Sequence, residues 1–406
     1  MTLPLEGVRV LAVEQDGAGP FGTQFLADQG AEVIKIENPN DGGDFARRIG
    51  PFFFTPDDSE FFHAYNRNKK SLTLDLSQEE GFQVFQDLVQ TSDAVASNLR
   101  GDVPEKLGLT YESLGKVNEK IVCAHLSAYG RKGPRASWPG FDYLMQAEAG
   151  YFSLTGEPDA PPTRFGLSVV DQMTGLALAY AVLAGITSAR ASGHGRDLDV
   201  SLFDVALCNL GYPAVWYLNE GHQTERLERS AHPALTPCEL CRTADGWIYL
   251  MCNKEKFWPA LCEALEREDW SRDDRFKDFK GRLEHRKTIR EMLDGILQKK
   301  NTSEWLEIFA GKVPAAPVHD LQAALENPFV RDEGRIQSIP LEDYGNYRTL
   351  DSPVKSGEPT PTNPAPKLGQ DTEQLLRELG YPQKRIDVLR DSGVVEPLLK
   401  GSDIKI

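Results

Sequence analysis

The opening stretch constrains this chain more than any other. In "GVRVLAVEQDGAGPFGTQFLADQGAEVIKIE" (Gly7–Glu37) a short, β-branched apolar run, Val8 to Val13, meets a turn punctuated by Gly17, Gly19 and Pro20. Phe21 to Gln29 then reads as a helix, Gly30 breaks it, and Glu32 to Ile36 reads as a second strand. A strand, a crossover helix and another strand imply parallel pairing, with helices packed on the sheet.

The alternation continues. Ser71–Leu76 reads as a strand before a helix at Gln78–Gln90. "DAVASNL", a helical piece near Tyr111–Asn118 and "KIVCAHLSAYG" follow. Gly175–Ala191 reads as a helix, and "GRDLDVSLFDVALCNLG" as a strand leading into another helix. After Gly221 the pattern changes. A polar connector to Pro237 gives way to a hairpin, "ELCRTADGWIYLMC", with Asp245-Gly246 at its turn. Charged helices, a Pro-rich connector (Ser356–Gln370) and a helical tail complete the chain. The expected fold class is α/β: a Rossmann-like parallel-sheet domain (1–220), a linker (221–237), a smaller α+β domain (238–335), and a linker with a C-terminal return to the large domain (336–406).

Composition serves mainly to exclude. The 406 residues carry a formal charge of −16, which opposes general binding to nucleic acid or to anionic membranes. Six scattered cysteines do not make a disulfide framework. The start lacks a basic segment followed by an apolar one, and the longest apolar run, Gly175–Ile186, is shorter than the roughly 18 residues of a spanning helix. The expectation is a soluble protein of the cytoplasm.

Several residues carry possible chemistry. Gly17, Gly19 and Gly22 have G-x-G-x-x-G spacing, and Glu37 ends the second strand. A phosphate cradle and plain strand-to-helix packing both fit. Cys238 and Cys241 form one C-x-x-C without a second pair, so no metal site is expected. His125 in its apolar run reads as a core histidine. Lys69 and Lys70 precede a strand, as solvated surface or as phosphate ligands. Asp171, in "SVVDQMTGL", is a charge at the mouth of an apolar helix. It fits an N-cap, and it also fits a carboxylate nucleophile held ionised by a low pKa.

Ordered blocks along the whole chain resemble the class III CoA-transferases, the family of formyl-CoA transferase and carnitine CoA-transferase. They are the opening unit, "NRNKKSLTLDL", "SNLRGDVPEKLGL", "SAYGRKGP", "PGFDYLMQAEAG", "DQMTGLALAYAVLAGITSARASGHGRDLDVSLFDVAL", "TADGWIYL" and "VPAAPVHDLQAALENP". The resemblance implies that Asp171 is the catalytic aspartate, passing through an acyl anhydride and an aspartyl-CoA thioester. It implies CoA contacts at Ala18, Lys69, Asn98 and Lys106, and an interlocked homodimer whose connectors near 221–237 and 351–370 cross. Gly17 stands where formyl- and oxalyl-type members have Gln, Ser97 where Glu is usual, and Asn38 where those members often have Arg. These departures argue against formyl or oxalate specificity.

The expected activity is CoA transfer between an acyl-CoA and a small, dicarboxylic four- or five-carbon acid. Gly17, Arg229 and His232 are candidate substrate contacts, the CoA thioester is a substrate, and no resident cofactor is expected. The alternatives are a 2-methylacyl-CoA racemase or epimerase and a noncatalytic CoA-binding protein. Phe141 stands where the racemases have a proton-transferring His, and a phenyl ring cannot move a proton.

Overall fold

The structure is a computed structural model that describes residues 2–342 and 344–396. The chain divides into two compact units: 1–149, 166–210 and 334–406 form the first, and 150–165 with 211–333 the second.

Six strands build the first unit: β1 (Arg9–Val13), β2 (Glu32–Glu37), β3 (Lys70–Thr73), β4 (Ala94–Ser97), β5 (Val122–Ser127) and β6 (Arg196–Ser201). All pair in parallel, in the order β3-β2-β1-β4-β5-β6. Val10, Leu11, Ala12, Ile34 and Val95 are fully buried, as a sheet covered on both faces requires. Strand order reverses between β1 and β4. At such a switch point the two crossovers leave in opposite directions, and a crevice opens beyond the carboxyl ends of the strands.

Three helices matter for that crevice: α1 (Ala18–Asp28), α2 (Asp142–Glu148) and α3 (Val169–Ser192). α1 and α3 cross backbone to backbone. A Cβ on Gly22 would collide with the Gly175 carbonyl, and one on Gly175 with the Ala18 carbonyl. Glycine is required at both positions because no side chain fits between the helices. Gly185 does the same against Val122 and Leu198 of the sheet. Two C-terminal helices, Thr372–Glu378 and Gln383–Asp391, bring Leu375, Leu376, Ile386 and Leu389 into the core that holds Leu72, Val84 and Phe85.

One expectation is corrected here. α3 runs 24 residues and is apolar enough, by length and composition, to cross a membrane; half of its most apolar window is buried. The run looked shorter because Asp171 and Arg190 near the two ends hide its continuation, and helix hydrogen bonding extends past both.

The second unit has a three-stranded antiparallel sheet: β7 (Cys238–Arg242), β8 (Trp247–Met251) and β9 (Ala315–Pro317), with β8 central. Trp258, Leu261, Phe276, Ile289, Leu293, Trp305 and Phe309 form its core. Asp245 in the hairpin turn accepts from the Thr302 N–H at 2.8 Å. Cys238 and Cys241 are buried thiols of β7.

Candidate active site

Two cavities of the first unit lie at the switch point, and Gln15 and Leu99 belong to both walls. One, of about 210 Å³, is lined by Asp16, Gly17, Ala18, Asn98, Arg100 and Asp171, with Phe45, Trp138 and Phe141 as aromatic walls. The other, of about 280 Å³, lies over the ends of β2 and β3, against Ile36, Asn38, Leu74 and Ser77.

Asp171 is set in place from three directions. The glycine crossing of α1 and α3 fixes the helix, and a Cβ on Gly17 would sit 3.3 Å from Asp171 Oδ2, a tight contact that would press the carboxyl a few tenths of an ångström aside. From α2, Asp142 Oδ2 accepts the Asp171 backbone N–H at 2.9 Å. Asp171 is therefore not the N-cap. The helix begins at Val169, and the buried Asp142 satisfies an orphan first-turn donor from outside the helix.

The low pKa expected of Asp171 is also overturned. Burial, then Asp142 and Asp16, raise it to about 7. Desolvation and like charges both disfavour the carboxylate, and they outweigh the favourable end of the helix dipole. Asp16 is raised to about 6 by burial and by Asp44. Asp16, Asp142 and Arg100 join the site without a sequence signal of their own, although Asp142 and Arg100 lie in the blocks "PGFDYLMQAEAG" and "SNLRGDVPEKLGL".

Beneath the cleft lies a buried ionic network. Lys35 Nζ pairs with Asp44 at 2.8 Å, and Arg47 holds Glu37 through two hydrogen bonds of 2.7 and 2.8 Å. Ser71 also donates to Glu37, at 2.6 Å. Glu37 is thus committed to protein partners, which removes the ribose-binding acid of a dinucleotide site. The glycines answer to packing: Gly19 abuts Asn98 and Gly22 abuts Gly175.

The expected ligand residues separate. Ala18 and Asn98 line the cleft. The Asn98 amide is engaged, accepting from Gln15 N at 2.8 Å and donating to Gln15 O at 2.6 Å, so it staples β4's exit to β1's. Lys69 needs correction as a phosphate ligand. Its ammonium is fully buried and donates to Glu14 (2.8 Å), the Pro20 carbonyl (2.9 Å) and Asn66 (3.0 Å), leaving no proton over. Burial lowers it to about 8. Lys106 is exposed and shares Asp102 with Arg100. Arg229 and His232 belong to the second unit. There Arg229 pairs with Asp294 at 2.8 Å, while His232 accepts from Ala234 N at 3.0 Å and meets the Tyr212 hydroxyl at 3.2 Å.

His125 is buried between Ser97 Oγ and Asp197 Oδ1, each at 3.0 Å. Ser97 is itself fully buried, which suits a structural chain of hydrogen bonds and not a nucleophile.

Comparison with known proteins bears on the chemistry. The model of CoA-transferase family III matches residues 5–372. The succinate–glutarate CoA-transferase of Agrobacterium fabrum is 35% identical over 385 residues, covering 93% of this chain and 96% of that protein. The succinyl-CoA:mesaconate CoA-transferase of Haloarcula hispanica is 32% identical over 388 residues, with 93% and 96% covered. Among solved structures, a CaiB/BaiF family protein from Brucella suis superposes with a TM-score of 0.78 at 29% identity, over 93% of this chain and 100% of that one.

Proposed function

The chain belongs to CoA-transferase family III, and we propose that it transfers CoA between an acyl-CoA thioester and a small dicarboxylic acid, with Asp171 as the nucleophile. The observation that carries the reading is a half-buried carboxyl pressed against Gly17 in a cleft walled by Phe45, Trp138 and Phe141. The dicarboxylate class rests on the relatives named above.

The steps balance without net proton transfer. An Asp171 oxygen attacks the thioester carbonyl and the C–S bond breaks, giving an acyl-aspartyl anhydride and CoA thiolate. The thiolate attacks the aspartyl carbonyl, and the donor acid leaves as its carboxylate. The acceptor carboxylate then attacks the aspartyl-CoA thioester, releasing thiolate. The thiolate takes the acceptor acyl group, and Asp171 returns as a carboxylate. Covalent capture keeps the thioester's energy through the exchange. The apolar walls disfavour water beside the anhydride, and poor solvation makes the ionised Asp171 a better nucleophile.

A long, bipartite substrate suits two cavities with a common wall. The nucleotide end of CoA is assigned to the crevice over β2 and β3, as the switch-point rule suggests, and the thioester end to the cleft of Asp171. Arg100 and Lys106, held by Asp102 on the loop after β4, are the cations proposed for its phosphates. No resident cofactor is needed, since CoA thioester is itself the substrate.

The chain is further proposed to act as an interlocked homodimer, with connectors 221–237 and 351–370 crossing. α3 supports a partner: Met173, Leu176 and Tyr180 make an exposed apolar stripe at helical spacing, opposite the face that meets the sheet. Six free cysteines suit the cytoplasm. The racemase alternative has less support, because Phe141 lines the cleft and carries no titrating group. The test is a panel of acyl-CoA donors against carboxylic acids, with CoA products read by mass spectrometry. Succinyl-CoA with glutarate or mesaconate should exchange, and Asp171→Ala should lose the exchange. Near-normal turnover in that variant contradicts the proposal.

A further inference from the structure

Among the carboxyl groups of the cleft, Asp16 is the one that the proposed reaction leaves without a task. It follows β1 with φ of 65°, in the left-handed region that residues other than Gly, Asn and Asp seldom adopt. That conformation is fixed from outside. Its N–H donates to Asp44 Oδ1 at 3.0 Å, Asp44 is anchored by Lys35, and the adjoining Gln15 is stapled by Asn98. A backbone outlier held by several elements beside a cleft is where strain serves function.

The cleft otherwise offers an anion little. Its aromatic walls are apolar, Asp171 carries the same charge, and Arg100, the cation among the described lining residues, is assigned above to the phosphates of CoA. Yet an acyl acceptor arrives as a carboxylate. We propose that Asp16 is the acceptor-binding residue of this cleft, its carboxyl donating an O–H hydrogen bond to the carboxylate of the incoming acid. The inference rests on the CoA-transfer reading above. Two carboxyls sharing one proton accept an anion where two carboxylates repel it.

The groups facing Asp16 favour that proton. Asp44 and Lys35 come from the end of β2 and its loop, Asp171 from α3 with Asp142 of α2 behind it, and Arg100 from the loop after β4. Tyr65, on the helix Glu60–Asn66, lies within electrostatic range. Both cations are neutralised by carboxylates of their own. Burial and Asp44 hold Asp16 at about 6, and a docked anion raises it further.

Initial rates with succinyl-CoA as donor and glutarate as acceptor test this between about pH 5 and pH 9. In the native enzyme the glutarate KM should climb above the Asp16 transition, approaching about tenfold per pH unit. Asp16→Asn keeps the left-handed backbone and a donor but does not titrate, so its glutarate KM should be flat with pH. Asp16→Gly accepts the same φ without a donor, and its glutarate KM should be about tenfold higher at low pH, the loss of one charge-assisted hydrogen bond. The KM for succinyl-CoA should move far less in both. An Asn variant that keeps the native pH slope, or a Gly variant with native glutarate KM, overturns the inference while CoA transfer itself stands. Absence of transfer to any acid in the native enzyme sinks both together.

Discussion

Replacing Asp171 with Asn removes a charge that the fold holds at a cost, and the cost has a pH signature. The carboxyl rises from the ordinary 3.8 to about 7, so the folded state binds its proton more tightly than the unfolded chain does. Ionisation therefore costs nothing below 3.8, grows through the interval, and is complete above about 7. At ~1.4 kcal/mol per pH unit the full rise amounts to about 4 kcal/mol, and solvent screening of a half-buried group reduces this to roughly 2 kcal/mol. Asp171→Asn should then unfold at higher urea concentration than the native protein, with a gap near zero at about pH 4 and widest at about pH 8. Comparing the two proteins pair by pair cancels every other titrating group. A gap that is constant with pH, or that widens toward acid, refutes the electrostatic reading of the site. The same variant should lose CoA transfer, a trade of activity for stability.

The other perturbations separate packing from chemistry. Gly22→Ala or Gly175→Ala forces α1 and α3 apart and should lower stability by about 1–3 kcal/mol in thermal unfolding, with Asp171 displaced and transfer reduced. Gly17→Ala places a methyl 3.3 Å from Asp171 Oδ2. It should cost roughly tenfold to a hundredfold in kcat with little change in melting temperature. Lys69→Met leaves Glu14 buried without its closest cation, and should destabilise by about 3–5 kcal/mol. A stable Lys69→Met protein that has lost only CoA affinity would restore Lys69 as a phosphate ligand. Asp142→Asn removes one of the charges that raise Asp171, so the acid limb of the kcat/KM profile should move to lower pH.

Much of this architecture is legible in the chain. Strands β2 and β4 are short apolar runs closed at once by Asn38 and Asn98, and β1 and β5 are apolar runs that reach Asp16 and Gly130 three residues on, whereas β6, with Arg196, Asp197 and Asp199, does not read as an apolar run. The mouth of α3 is harder: the sequence reads as a helix from Gly175, whereas the helix already starts at the β-branched Val169 and Val170. The electrostatics of Asp171 are not local at all. Asp142 is 29 residues away in sequence and reaches the site only through the placement of α2 beside α3. Lys69 is legible as a basic residue before a strand, but its partner Glu14 is 55 residues distant, so nothing near it announces that its protons are taken. Spacing finds chemistry-bearing residues. Which of them are free to act is settled by contacts between distant segments, α2 with α3 and the start of β3 with the end of β1, that no local pattern encodes.

The central claim, that Asp171 becomes covalently acylated and then thioesterified, is open to direct observation. The native protein, mixed with succinyl-CoA and quenched in acid, should gain the mass of CoA less water on the peptide that contains Asp171. Hydroxylamine should convert that adduct to a hydroxamate at the same residue. A protein that turns over succinyl-CoA yet never carries either mark on Asp171 contradicts the account.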